Sequence, residues 1–340
     1  MTRIIKVLSV SILLWLTSSV FAQESMTGIS AEEIAEYPEP NVIPLAVDDS
    51  LLYDRIYRRV EANLALYNAP GVALTNDLGT GFSYVTLAGA GAQGAWTQIS
   101  AEHWVPSNAL TEDVVISRFA GVRLPDTGLP YTMAWTLRHL RPATTPGGEQ
   151  AQDNPFLYRY TRINIYATVQ VDGHNWYQIG EDQWVHQFNV AKILPIAPPA
   201  DVNTEKWVSV DLYEQVLIAY EGSTPVFATL ISSGLSQWST NEGTFNVYMR
   251  HQRTTMSGSY NSPDFYYLQE VPWTMYFDGD IALHGTYWHD GFGYRQSRGC
   301  VNMSITDAHW LYEWSSDVRD FTTETPIDLA VHVYSSGEYE

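Results

Sequence analysis

Trp96-Thr97-Gln98-Ile99, followed by Trp104-Val105, returns eighty residues later as Trp176-Tyr177-Gln178-Ile179, followed by Trp184-Val185. Short β-favouring runs lead into each copy, Tyr84-Val85-Thr86-Leu87 before the first and Ile165-Tyr166-Ala167-Thr168-Val169 before the second. Runs of that length with turn residues between them make small antiparallel β modules, and a fixed internal repeat means that one such unit occurs twice. A chain of 340 residues has room for two or three domains of ordinary size. The repeat assigns residues 51–125 to a first module and 156–195 to a second. The connection 126–155 ends in a stretch from Pro142 to Pro155 rich in Pro, Gly, Thr and Gln, which reads as flexible.

The Trp-x-Gln-Ile then Trp-Val arrangement resembles bacterial SH3-like domains, in which a tryptophan strand, a turn and a second Trp-Val strand close a small barrel. The resemblance implies two SH3-like β-barrel modules that carry no catalytic residues and whose role is cell-wall binding. Most of Trp96, Trp104, Trp176 and Trp184 are expected in the small cores.

Residues 1–22 have the layout of a secretory signal peptide, with Arg3 and Lys6 at the start, a mostly apolar run from Val7 to Leu16, and Val20-Phe21-Ala22 at the cleavage site. The apolar run is shorter than the roughly 20 residues of a membrane span, so we expect cleavage before Gln23 and no stable membrane anchor. The protein would then be secreted or associated with the wall of the cell envelope. Residues 23–50, with Pro38, Pro40 and Pro44, read as a linker. The formal charge of −20 becomes −22 once Arg3 and Lys6 leave, which argues against nucleic acid or an anionic membrane as partner. Charged residues at 16% and aromatics at 13% are unlike a disordered acidic tail.

A proline-marked linker from Lys192 to Asp201 leads into residues 203–336. Trp207 to Leu212 and Val216 to Tyr220 form a hairpin pattern, and Val226 to Ser232, Phe265 to Tyr267, Trp273 to Phe277 and Ile327 to Tyr334 read as further strands. One helix is expected, from Ile305 to about Asp317, with Thr306 as its N-cap. The fold class is mainly β.

The only cysteine, Cys300, has no disulfide partner within the chain. Around it stand Ser297, Gly299 and Asn302, which supply hydrogen-bonding groups and backbone freedom that an apolar core site would not need. Ile281-Ala282-Leu283 reads as a buried strand ending at His284, and the glycine-rich segment from Trp288 to Gln296 can loop out and return Cys300 toward that imidazole. A thiol needs such a partner to act as a nucleophile at neutral pH. His284, His289, Cys300 and His309 lack the short paired spacings of a zinc site, so neither metal nor cofactor is expected.

His284-Gly285, the insert, and Ser297-x-Gly299-Cys300-Val301-Asn302 resemble the signature of the L,D-transpeptidase catalytic domain, as does Gly243-Thr244-Phe245 upstream. The resemblance implies that Cys300 attacks a peptidoglycan stem peptide, that His284 takes its proton, and that a second stem accepts the acyl group from a thioester. The amides of Gly299 and Cys300 would form an oxyanion hole, and the Gly285 carbonyl would orient the imidazole. Ser297, Arg298 and Asn302 are expected to support the loop or the substrate. Arg298 stands where the commonest form of the motif has histidine; because arginine stays protonated, the base must be His284. With water as acceptor the same apparatus is an L,D-carboxypeptidase, and with a vestigial site the chain is a non-catalytic wall-binding protein.

Overall fold

The computed structural model describes residues 29–316 and 328–338, apart from residues 62, 73, 78, 89–91, 113 and 261. The expected signal peptide and its cleavage site lie outside the described residues. The hairpin from Lys206–Asp211 to Val216–Glu221 forms, turning through Gln215 at φ 56°, and occupies the middle of a seven-stranded sheet. The order of that sheet is Ile43–Pro44, Val122–Arg123, Thr224–Leu230, Val216–Glu221, Lys206–Asp211, Leu329–Tyr334 and Gly243–Asn246. Only the contact between Lys206–Asp211 and Leu329–Tyr334 is parallel.

The apolar residues of this hairpin do not simply alternate, because both faces of the sheet are covered. Val208 and Val210 point into a core shared with Leu283, Val301, Ala308 and Leu311. Trp207, Ile218 and Tyr220 point the other way, into a core with Met133, Trp135, Leu137 and Ile193 from the N-terminal half. Trp207 and Tyr220 stack there with ring centroids 4.0 Å apart. The helix is Ile305–Trp314, capped by Ser304, whose side chain accepts from the Asp307 amide at 3.1 Å. Thr306 lies inside the first turn and is not the cap. The predicted end near Asp317 lies outside the described residues.

A second sheet carries the residues of interest. It runs Val301–Met303, Ile281–Gly285, Tyr266–Asp278, Phe82–Thr86, Tyr57–Val60 and Leu110–Thr111, with Met249–Gly258 also paired to Tyr266–Asp278. The two strands expected at Phe265–Tyr267 and Trp273–Phe277 are one long strand, Tyr266–Asp278, which carries positive φ at Glu270 and Trp273. Its N-terminal end pairs in parallel with Phe82–Thr86, from the first repeat.

The two repeat copies take the same local structure. Trp96 pairs with Pro106 and Gln98 with Trp104, just as Trp176 pairs with His186 and Gln178 with Trp184. A 3-10 turn follows each, Ser107–Ala109 and Gln187–Asn189. Trp104 and Trp184 are buried. The expected closed barrels are not what these strands build: among the described residues no sheet closes on itself. The strands are shared out instead. The first copy gives Tyr57–Val60, Phe82–Thr86 and Leu110–Thr111 to the second large sheet and Val122–Arg123 to the first, and keeps the remaining strands in a five-stranded one. The second copy is divided between two three-stranded sheets.

The expected linkers are also tied down. Ile43–Pro44 joins the first sheet, and Ile29 donates its amide to Gln178 Oε1 at 2.8 Å. Ala143, inside the stretch read as flexible, is buried and exchanges backbone hydrogen bonds with Trp184 at 2.8 and 2.9 Å.

Because Trp135 fills a core whose other wall is Trp207 and Tyr220, the N-terminal half and the first sheet should melt together. Trp135→Ala is expected to cost about 3–5 kcal/mol, as large-to-small core changes do, and to lower the melting of the whole chain in calorimetry. An early transition confined to the N-terminal half, with the rest unmoved, would contradict a shared core.

Candidate active site

His284 sits on Ile281–Gly285, next to its end, and is 1% exposed. The strand pairs in parallel with Val301–Met303, so that Leu283 faces Val301 and His284 faces Asn302. Cys300 immediately precedes that neighbour and lies beside Ala282. Residues two apart along a strand share a face, so the imidazole and the thiol are diagonal neighbours on one side of the sheet. Both belong to a surface that also holds Trp288, whose ring is 5.7 Å from that of His284.

His284 Nδ1 is 3.1 Å from the Gly285 carbonyl oxygen. A carbonyl only accepts, so Nδ1 carries the proton and Nε2 presents its lone pair. Burial pulls the imidazole down to about 4, against the small upward pull of the Gly285 bond. It is therefore neutral at pH 7. Burial likewise pushes the half-buried Cys300 thiol up to about 11; a hydrogen bond from the Ala282 backbone works against that shift and the Asp280 carboxylate adds to it. Sγ is 3.7 Å from the Asp280 carbonyl oxygen. At rest the two groups are a thiol and a neutral imidazole on one face of the sheet, not a thiolate–imidazolium pair, so any attack by the sulfur would require its proton to leave.

The turn that delivers Cys300 is held from several sides. Ser297 Oγ accepts from the Gly299 amide at 3.1 Å and donates to the Cys300 carbonyl. Gly299 has φ +113°, a conformation that side chains rarely adopt. Its carbonyl accepts from Thr240 Oγ1 at 2.7 Å, and Thr240 in turn accepts from the Gly234 amide at 3.0 Å. A Cβ on Gly234 would fall 2.1 Å from the Trp238 carbonyl and 3.0 Å from Gly299 Cα, so the two loops touch backbone to backbone. The Gly299 amide expected in an oxyanion hole is thus already occupied by Ser297.

Arg298 does not stand over the sulfur as a free cation. Its guanidinium lies 5.0 Å from the Trp238 ring and 5.1 Å from the Tyr266 ring, and donates to the Asp264 carbonyl. Asn302 is buried, with its backbone paired to Ser232 in both directions at 2.9 Å. Its side-chain amide lies 2.9 Å from His289 Nε2. Because His289 Nδ1 accepts from the Gly291 amide at 3.0 Å, a neutral ring carries its proton on Nε2. Asn302 Nδ2, which faces it, cannot accept that proton, so exchanging the amide's nitrogen and oxygen is the assignment that pairs Oδ1 with Nε2–H. Burial pulls His289 down to about 3, which keeps the ring neutral. His309 lies apart on the helix, 4.4 Å from the Trp273 ring. Thr240 and Trp238 carried no signal in the sequence, because they reach the site only through the folding of a separate loop.

Residues 205–328 match the YkuD family model, the L,D-transpeptidase catalytic domain. YciB of Bacillus subtilis, itself provisionally assigned as an L,D-transpeptidase, is 29% identical over 120 residues, which is 32% of this chain and 59% of YciB. The chain thus spans about three fifths of that curated relative. Among solved structures, an L,D-transpeptidase of Stackebrandtia nassauensis is 25% identical, with 39% of this chain and 57% of that one covered at a TM-score of 0.30. One from Mycobacterium smegmatis is 16% identical, with 49% and 69% covered at a TM-score of 0.34.

The neutral state of the two groups makes a pH prediction. A thiol near 11 is ionised only at high pH, so the rate of Cys300 alkylation by iodoacetamide should keep climbing above pH 9. Mass spectrometry of the labelled protein against pH measures it. A plateau reached below pH 8 would mean that an ion pair forms and that the neutral assignment is wrong.

Proposed function

We propose that the chain is an exported L,D-transpeptidase that crosslinks peptidoglycan stem peptides in the cell envelope through a thioester on Cys300. The observation that carries this reading is the parallel pairing of the His284 and Cys300 strands, within a segment matched by the L,D-transpeptidase domain, with His284 Nδ1 fixed on Gly285. Sγ attacks the carbonyl that joins the third stem residue to a terminal D-alanine, and the thiol proton passes to His284 Nε2. The imidazolium then protonates the leaving amine as the tetrahedral intermediate collapses to the thioester. A second stem's amine displaces the sulfur and restores the thiol. No external energy source is needed, because the thioester conserves the energy of the cleaved bond. With the Gly299 amide occupied, the Cys300 amide is the donor left on this turn for the developing oxyanion.

Incubating the protein with a stem tetrapeptide and weighing it intact tests the reading, with an acceptor stem added to separate transfer from hydrolysis. The parent should gain the mass of the acyl tripeptide, while Cys300→Ala and His284→Ala should fail to a similar degree, since the two act as a unit. Arg298→His should stay within about tenfold of the parent, because cation–π contacts of this kind contribute about 1 kcal/mol. Acylation by His284→Ala near the parent rate would sink the assignment, and hydrolysis alone, with no crosslink, would make the enzyme a carboxypeptidase.

A further inference from the structure

The loop from Trp288 to Gln296 joins the two site residues, and its contacts reach well beyond the matched domain. Its residue Asp290 is held by the N-terminal half. Tyr160 Oη donates to the Asp290 backbone carbonyl at 2.8 Å, and Arg159 Nη2 donates to the same oxygen. Arg159 Nη1 lies 3.8 Å from Asp290 Oδ2, and Ser117 Oγ donates to Oδ1. The neighbours of Asp290 lead straight to the nucleophile strand. His289 shares its Nε2 proton with Asn302, two residues after Cys300 and opposite His284. The Gly291 carbonyl accepts from Ser232 Oγ at 2.9 Å, and Ser232 is the backbone partner of Asn302. Further along, Phe292 is buried in the core with Phe119 and Trp135, and a Cβ on Gly293 would fall 2.3 Å from Leu137 Cδ2.

We propose that Ser117, Arg159 and Tyr160 are positioning residues: by fixing Asp290 they set His289 on Asn302, and so set the strand that presents Cys300 against His284. None of the three lies in residues 205–328. The N-terminal half is then a working part of the active site, not a detachable wall-binding appendage. This rests on the transpeptidase reading for its purpose, but its test does not need a peptide.

Iodoacetamide alkylation of Cys300 in the full chain at pH 7, compared with the same reaction in His284→Ala, isolates the part of the rate that depends on His284. The same reaction near pH 11, where the thiol ionises unaided, reads access to the sulfur alone. Tyr160→Phe and Arg159→Ala should lose about tenfold of the His284-dependent rate, a scale that small misplacements of a catalytic pair can reach. At pH 11 they should stay within about twofold of the parent, and Arg159→Lys should recover part of the loss. Parent-like rates at pH 7 in both variants would overturn the proposal, as would rates that rise together at both pH values, which would report a loosened fold. A parent with no His284-dependent component would overturn it too. A parent that shows this component but forms no thioester with a stem peptide would instead defeat the transpeptidase reading and leave the brace standing.

Discussion

Two short strands lying side by side in the same direction are the constraint on which the rest depends. Antiparallel neighbours can be joined by a tight turn, but parallel ones need a crossover long enough to bring the chain back. Here the return journey is residues 286–300, with no helix along it. An irregular crossover has no internal hydrogen-bond ladder, so it must borrow its order from whatever it touches. Ser232, Ile231 and Ser233 supply part of that order from one side, and the Gly293 amide reaches the Ile231 carbonyl at 2.8 Å. Arg159, Tyr160 and Leu137 supply it from the other. The long connecting segment and the extensive N-terminal contacts are two sides of one requirement.

The site was legible in the sequence to the extent that its chemistry lies in neighbouring residues. Ile281-Ala282-Leu283 showed a buried strand ending near a histidine, and Ser297-x-Gly299-Cys300 showed a turn around a thiol. The hairpin at Trp207 to Tyr220 and the late helix were equally plain, since each rests on periodicity within a dozen residues. What the sequence did not show is non-local. Nothing about Thr240 says that it will support the Gly299 carbonyl, and nothing about Arg298 says that it will lie between Trp238 and Tyr266. The helix cap moved from Thr306 to Ser304 because it is Ser304 that takes up the extended conformation an N-cap requires.

The repeat shows how a correct local pattern can mislead about architecture. Both Trp-x-Gln-Ile hairpins form in the same register, yet neither closes a barrel, because the edge strands that would close it are paired elsewhere. In the first copy Phe82–Thr86 has a better neighbour in Tyr266–Asp278. An unpaired edge invites pairing, and a nearby strand of the same chain satisfies it as well as a closing strand would. The aromatic residues this brings together, Tyr57 stacked on Tyr287 at 3.6 Å and Tyr84 at 6.4 Å from Trp288, form the wall behind His284.

The protonated state of the half-buried Cys300 thiol also bears on how it meets oxidants. Oxidation to sulfenic acid and disulfide exchange both begin from the thiolate. A thiol raised to about 11 is ionised to roughly one part in ten thousand at pH 7. An exposed thiol of ordinary pKa would be a few per cent ionised under the same conditions. Held as the thiol, the sulfur would react slowly with oxidants, which matters for a cysteine that has no second cysteine in the chain to pair with.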